Sequence, residues 1–458
     1  GGSYRGMGAP QIIWAIESQV EQAARALGKD SLAYRLEIAN RPGDETPLGW
    51  QIGTCALREC LQEAGRLIGW EAHKHARRPN RGIGFASMIN PSVGVLYPEG
   101  NFANVSLELT GEGRLLLGTQ ASDAGTGQNT VLAQMAAQAL DVDDALIDVV
   151  HMDTELAPDD LGSAASRVTF VTGAAAVDSG KLLGTAIRTR LAEHWRVEPE
   201  EVSLEDGWAS VGTDNARRLS WKELYAQEGS MRVEGHHEID LPRPDPHTGY
   251  GHYAATYGFG AQAVEVEVDP GTGHVRVLKV VVVQDIGRVI NPLTLEGQMH
   301  GGIVQGIGMA LNEELVMDHG QPVNATLVNY RVPRIVEAPE IECVFIETDD
   351  PTGPYGAKAG GEHSINPAVA AISNAISDAT GLFLTTLPMT PQRILNELTQ
   401  RAASKPATKP WKRPFNAEVA TVRALYPSTV FPLAKKLGAK LSKGRRKVDS
   451  FDYLRADS

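Results

Sequence analysis

A single carboxylate, Glu362, stands near the end of the glycine-rich run Gly353-Pro-Tyr-Gly-Ala-Lys-Ala-Gly-Gly-Glu-His-Ser-Ile-Asn-Pro367. A carboxylate can take a proton from a reacting group, and stiff backbone with small neighbours leaves room for a bulky ligand beside it. A helix is expected directly after it. Asn366 suits the N-cap and Pro367 the first helical position. Ala368, Val369, Ala371, Ile372, Ala375 and Ile376 then recur at helical spacing, and Gly381 supplies a stop. The same placement serves a Glu that only complements the helix dipole. A dipole lowers the carboxyl pKa and partial desolvation raises it. His363 is either a second titrating group facing a ligand or a satisfied structural histidine.

Three further stretches have residue types that suit a ligand. Ser122-Asp-Ala-Gly-Thr-Gly-Gln-Asn-Thr130 opens a helix reaching Leu140. Such a turn offers free N–H groups to a phosphate, or is a plain turn. Gly162-Ser-Ala-Ala-Ser-Arg167 lets a ligand approach the backbone closely, or is an ordinary helix entry. After Asn291-Pro292, Gly297, Gly301, Gly302, Gly306 and Gly308 would weaken an exposed helix, so that backbone presses on a ligand or on a neighbouring helix. Gln298 and Gln305 share one face of it, placed to read a heterocycle edge or to stand solvated. Gly258-Phe-Gly-Ala-Gln-Ala263 is half of a dinucleotide fingerprint. Strand alternation at Val264, Val266 and Val268 follows where a helix should, which excludes a Rossmann unit. No His/Cys cluster has metal-ligand spacing along the chain.

The elements that must position these residues alternate between helix and strand. Helices are expected from about 11 to 27, with Ile12, Ile16, Val20, Ala23, Ala24 and Leu27 inward, and from about 54 to 68. His73–Arg81 reads as a boundary. Strands follow from Gly82, over 102–109 and 114–118, and Val275–Val283 is a buried strand. Residues 197–248 read as a peripheral subdomain, and Pro391–Leu398 as a last helix capped by Thr390.

The 458 residues, 42% hydrophobic and 22% charged, describe a globular chain of two or three domains. No apolar run spans a membrane and no export leader is visible, which points to the cytoplasm. Cys55, Cys60 and Cys343 cannot build a disulfide framework or a cluster site, so an iron–sulfur centre would sit on another chain. From Arg401 onward 14 Lys and Arg face four Asp and Glu, leaving −23 on the first 400 residues. That acidic body argues against nucleic acid, and the basic tail suits docking on a protein partner.

Together these stretches resemble the molybdenum-binding subunit of the xanthine oxidase/dehydrogenase family. The likeness rests on five ordered blocks: Tyr4-Arg-Gly-Met-Gly-Ala-Pro-Gln11, Asp123–Thr130, Asp153–Arg167, Gly287–Gly308 and Gly356–Glu362. It implies an α+β fold of mixed sheets with packed helices, divided into 1–78, 79–398 and 399–458. It also implies a molybdenum–molybdopterin cofactor, the cytosine dinucleotide form included, that takes no ligand directly from side chains. Glu362 would be the general base in hydroxylation of an N-heterocycle or aldehyde, with water as the oxygen source.

The resemblance carries further residues over. Arg5 and Gly6 would lie beside the metal, and Met7 and His363 would line the substrate pocket. Gly125, Thr126 and Gly127 would cradle the pterin, with Gln128 replacing an amide contact that the family makes where Thr126 stands. Ser163, Ala164, Ala165 and Ser166 would pass under the dithiolene and phosphate, Gln298 would hydrogen-bond the pterin, and Gly361 would adjoin it. Met7 replaces a usual aromatic, and His363 a usual proline. Expected partners are an N-terminal half of the subunit, a [2Fe-2S] subunit and a FAD subunit. Phe451–Arg455 faintly resembles the opening of the last. The rival expectation is a non-catalytic scaffold or assembly subunit that keeps the cofactor-binding fold.

Overall fold

The structure, a computed structural model, describes residues 3–94, 101–212, 217–241 and 243–403. Its first sheet runs in the order β1 (Arg81–Gly94), β9 (Ala254–Val268), β10 (Val275–Gly287) and β13 (Glu340–Glu347). β9 runs antiparallel to both β1 and β10, and β13 joins β10 in parallel. Val280 and Val282 of β10 enter the core on one face, and Val281 and Val283 the core on the other. Burial on both faces explains an unbroken apolar run where a half-exposed strand would alternate.

Helices α8 (Pro292–Leu311) and α9 (Ala368–Thr380) cover one face. A Cβ at Gly82 or Gly84 of β1 would overlap the α9 backbone at Ala375, so only glycine lets helix and strand approach so closely. Helices α3 (Leu57–Leu67) and α4 (Trp70–His75) cover the other face. Residues from the expected 1–78 division thus pack, through α3 and α4, on the same sheet as α8 and α9. The last helix among the described residues, α10 (Pro391–Ala403), starts as expected at Thr390, whose Oγ1 accepts from the Arg393 N–H at 3.3 Å. The basic segment from 404 onward lies outside the described residues.

Between β1 and β9 the chain builds a second sheet: β4 (Ile147–His151), β3 (Leu115–Thr119), β2 (Phe102–Leu109) and β8 (Met231–Glu238), in that order. It packs on α5 (Gln128–Leu140) and α6 (Gly173–Trp195). A small sheet of β5 (Val202–Glu205), β6 (Trp208–Val211) and β7 (Arg218–Ser220), followed by α7 (Trp221–Glu228), lies at its edge. The expected peripheral subdomain therefore holds only in part, because β8 pairs along the whole of β2. The two-residue strands β11 (Met317–Asp318) and β12 (Gln321–Pro322) form an exposed hairpin. Among the described residues no helix is long and apolar enough to cross a membrane.

Two expectations fail locally. Helix α1 (Ala9–Ala26) turns the first part of its predicted apolar stripe outward, with Ile12 62% and Ile16 41% exposed, while Ala24 is buried as expected. It buries Glu17 and Glu21 instead, which pair at 2.9 and 3.0 Å with the buried Arg35 of α2 (Ser31–Ile38). Glu17 also accepts from the Ser87 N–H at 3.0 Å, so hydrogen-bonded charge, rather than Ile12 or Ile16, ties this part of α1 to β1, while Ile13 packs on the core. At α9 the N-cap is Pro367. Asn366 is buried one residue earlier, and its amide donates to Asn90 Oδ1 at 2.8 Å instead of capping. Gly381 ends α9 in the left-handed conformation, as expected.

Candidate active site

The run leading to Glu362 rests on a buried ion pair. Lys358 Nζ lies 2.9 Å from Asp285 Oδ2, with both side chains fully buried, and also donates to the Thr54 carbonyl at 3.2 Å. The Lys358 N–H donates to the Ile286 carbonyl at 2.9 Å, and the Ala359 N–H to Ser92 Oγ at 3.1 Å. Gly361 then passes Ser166, where a Cβ would lie 3.1 Å from the hydroxyl. Beyond it the half-buried Glu362 accepts the Gly6 N–H on Oε1 at 3.0 Å and the Ser166 hydroxyl on Oε2 at 3.1 Å. Each oxygen keeps a further lone pair for a ligand or proton.

Both donor loops are strained. Gly6, Met7 and Gly8 have φ of 86°, 40° and 90°, and Ala165 and Ser166 have φ of 47° and 58°. Left-handed backbone at three non-glycine residues beside one carboxylate is the kind of strain that clusters at functional sites. Arg167, fully buried, holds the second loop through Asp160 at 2.6 Å and the Gly162 carbonyl at 2.9 Å. Met7 points outward, 65% exposed.

Arg5 joins the pieces. Its Nε donates to the Gly361 carbonyl at 2.7 Å, Nη1 to Gln305 Oε1 at 3.2 Å, and Nη2 to Gln298 Oε1 at 3.0 Å. Burial pushes the Arg5 pKa down, against the negative charge of Glu362. Gln298 Nε2 in turn donates to the Gly125 carbonyl at 3.3 Å. The two glutamines of α8 are therefore not simply solvated; they grip the arginine that holds the Glu362 turn. Gly302 and Gly306 press on Ser364 and Ala368, where a Cβ would overlap. At Gly125, Gly297 and Gly301 a Cβ would meet no atom within 4 Å, so open space, the candidate cleft, adjoins each of these glycines.

Of the two readings for the loop at 123–130, the plain turn fits better. Four of its N–H groups are taken up by Asp123. Asp123 Oδ1 accepts from Gly125, Thr126 and Gly127 at 3.0, 2.9 and 3.1 Å, and Oδ2 from Asn129 at 3.3 Å. Burial raises the Asp123 pKa, but those four donors outweigh it and hold the group below its usual value. Thr126 donates to Gln128 Oε1 at 3.1 Å, and Gln128 Nε2 donates to Ser163 Oγ at 2.9 Å. Ser163 and Ala164 are exposed.

His363 does not line the cleft. Its ring is fully buried, turned away from Glu362 onto Gly258 of β9, where a Cβ would overlap Nε2. Burial, then the charges of Lys358 and Arg5, push its pKa down to about 3, so the ring is neutral. The ring is buried as a structural histidine would be, but neither ring nitrogen has a hydrogen-bond partner, so it is not the satisfied residue expected. Sequence reasoning missed Asp123, Asp160 and the Lys358–Asp285 pair. Only the first leaves a local signal, an Asp two residues before a glycine, which is an Asx-turn pattern.

Residues 62–339 match the family model described as molybdopterin cofactor-binding domain. The chain is 32% identical over 412 residues to a xanthine dehydrogenase molybdenum-binding subunit of Escherichia coli O157:H7, covering 86% of this chain and 53% of the relative. It is 36% identical over 418 residues to 6-hydroxypseudooxynicotine dehydrogenase complex subunit gamma of Paenarthrobacter nicotinovorans, covering 86% and 51%. Among solved structures it resembles quinoline 2-oxidoreductase from Pseudomonas putida 86, with a TM-score of 0.75, 25% identity and coverage of 87% and 53%. It also resembles aldehyde oxidoreductase from Desulfovibrio gigas, with a TM-score of 0.74, 27% identity and coverage of 87% and 42%. The chain spans about half the length of the curated relatives it matches.

Proposed function

This chain belongs to the molybdopterin cofactor-binding domain family of xanthine dehydrogenase-type proteins, and on that premise we propose that it carries the proton-accepting half of a molybdenum hydroxylase site. The observation that carries the reading is Glu362, held between the Gly6 N–H and the Ser166 hydroxyl at the mouth of a cleft bounded by Gln298 and Gly125. Each donor comes from a loop remote in sequence, so only the whole fold sets the carboxylate's direction.

The cleft fits a flat polar group. Gly125, Gly297 and Gly301 each border open space, and the side chains of Thr126, Gln128 and Ser163 are hydrogen-bonded in series beside Gly125, whose carbonyl accepts from Gln298. These residues, with Arg5, Gly6, Gly127, Ala164, Ala165 and Gly361 as supporting backbone, would hold a molybdopterin, its cytosine dinucleotide form included. When bound, that cofactor would supply the two-electron redox and oxygen-transfer chemistry. Glu362 accepts the proton released there, Arg5 fixes the turn that aims it, and Met7 borders the entry for substrate.

The substrate is an N-heterocycle or an aldehyde, hydroxylated with oxygen from water. The named relatives support that class: xanthine, quinoline and aldehyde stand in their titles. The electrons pass to [2Fe-2S] and FAD groups on partner chains, and the relative that is itself a complex subunit supports such an assembly. The test is molybdenum and pterin analysis of the copurified complex, with dye reduction assayed against purines, quinolines and aldehydes. We expect bound cofactor together with substrate-dependent reduction. Bound cofactor without reduction by any of these substrates would favour the scaffold reading instead.

A further inference from the structure

The face of α8 turned from Gln298 holds a second cluster. Glu296 and His300 lie one helical turn apart, and Cys343 of β13 faces them across the gap between helix and strand. Their ligand atoms all lie within 4.8 Å of one another, and His300 Nε2 stands 3.7 Å from Glu296 Oε1. His300 Nε2 is a buried ring nitrogen with no hydrogen-bond partner. Along the sequence only the Glu–His spacing is visible, because the thiol arrives through the parallel pairing of β10 with β13.

We propose that Glu296, His300 and Cys343 form a site for a divalent cation of the zinc class, separate from the cleft at Glu362. One carboxylate, one imidazole and one thiolate suit a borderline-soft ion, whereas magnesium and calcium prefer all-oxygen sets. Bonds of about 2.0–2.3 Å in a tetrahedron set ligand atoms about 3.3–3.8 Å apart, so closing the cluster takes a shift of about 1 Å. The Glu296 and His300 side chains, 52% and 44% exposed, have the freedom to make it. Burial and the neighbouring Glu296 push the Cys343 thiol up to about 12, so without a cation it stays a neutral thiol. A cation reverses that, displacing the thiol proton as it binds. Three protein ligands leave a fourth position for water. The consequence is mechanical: the ion would clamp to the edge strand the helix that carries Gln298 and Gln305.

The test uses the full chain, stripped with chelator and titrated with Zn2+ against a chromophoric competitor, alongside C343S and H300Q. We expect one saturable zinc per chain. Loss of a direct ligand should weaken it by at least the roughly tenfold that loss of an outer-shell partner causes. Zinc should raise the thermal midpoint of the parent chain and not that of the variants, whose metal-free midpoints should match the parent's. Cobalt in place of zinc should give a thiolate charge-transfer band that C343S abolishes and C55S leaves intact. Absence of stoichiometric zinc, a cobalt spectrum without that band, or zinc binding unchanged in C343S would each overturn the proposal.

Discussion

Asp123 and Glu362 are both carboxylates held by hydrogen-bond donors ahead of a helix, yet they are built in opposite ways. Asp123 draws its four donors from the next six residues and spends both oxygens on its own turn. Glu362 draws one donor from residue 6 and one from residue 166, and keeps lone pairs open. A carboxylate satisfied locally shapes a loop, while one satisfied from across the chain is aimed by the fold. On the proposed function, the difference would separate an acid that builds the site from one that works in it.

The largest expected effect falls on Glu362. In the assembled complex E362Q keeps the size and one acceptor but loses the base. Turnover should fall by about 10² or more while molybdenum content stays at the parent level. Near-parent turnover would put Glu362 in the same structural class as Asp123.

Next is the histidine beneath it. The folded chain holds His363 neutral with a pKa of about 3, whereas the unfolded chain takes up its proton below about 6.5. Stability is therefore lost as pH falls from about 6.5 toward 3, at about 1.4 kcal/mol per unit. Denaturant titrations at pH 6.5 and 5 should show about 2 kcal/mol less of this acid loss in H363Q. An unchanged loss would mean that the ring reaches solvent and belongs to the cleft after all.

D123A strips an acceptor from four N–H groups that water can partly reach, so about 1–2 kcal/mol of stability should go. Cofactor retention should weaken, and turnover per bound molybdenum should hold. If turnover per molybdenum fell as far as in E362Q, the contrast between the two acids would collapse. T126A should be the mildest, about 0.5 kcal/mol in chemical denaturation, because its hydroxyl adds one neutral hydrogen bond to a loop Asp123 already fixes.

Much of this was legible in the sequence. The run ending at Glu362, the stop at Gly381, the buried strand at Val280–Val283 and the glycine-laden α8 all depend on local spacing, and each stands where spacing puts it. What could not be read depends on partners remote in sequence. Ile12 and Ile16 looked inward because nothing local reveals that Arg35 neutralises Glu17 and Glu21 on the opposite face. His363 looked like a pocket residue because the room made for it lies at Gly258, on another strand. Asn366 looked like a cap because its true partner, Asn90, sits in β1. Asp123 is the exception: its turn was local and could have been recognised.

The most direct test is a map of the loaded complex at a resolution that shows side chains. The account predicts the Glu362 carboxylate within about 2.6–3.2 Å of the cofactor's reacting end, with Asp123 still on its own four N–H groups. A cofactor seated away from the Gln298 cleft, or Glu362 turned to bulk solvent, would contradict it.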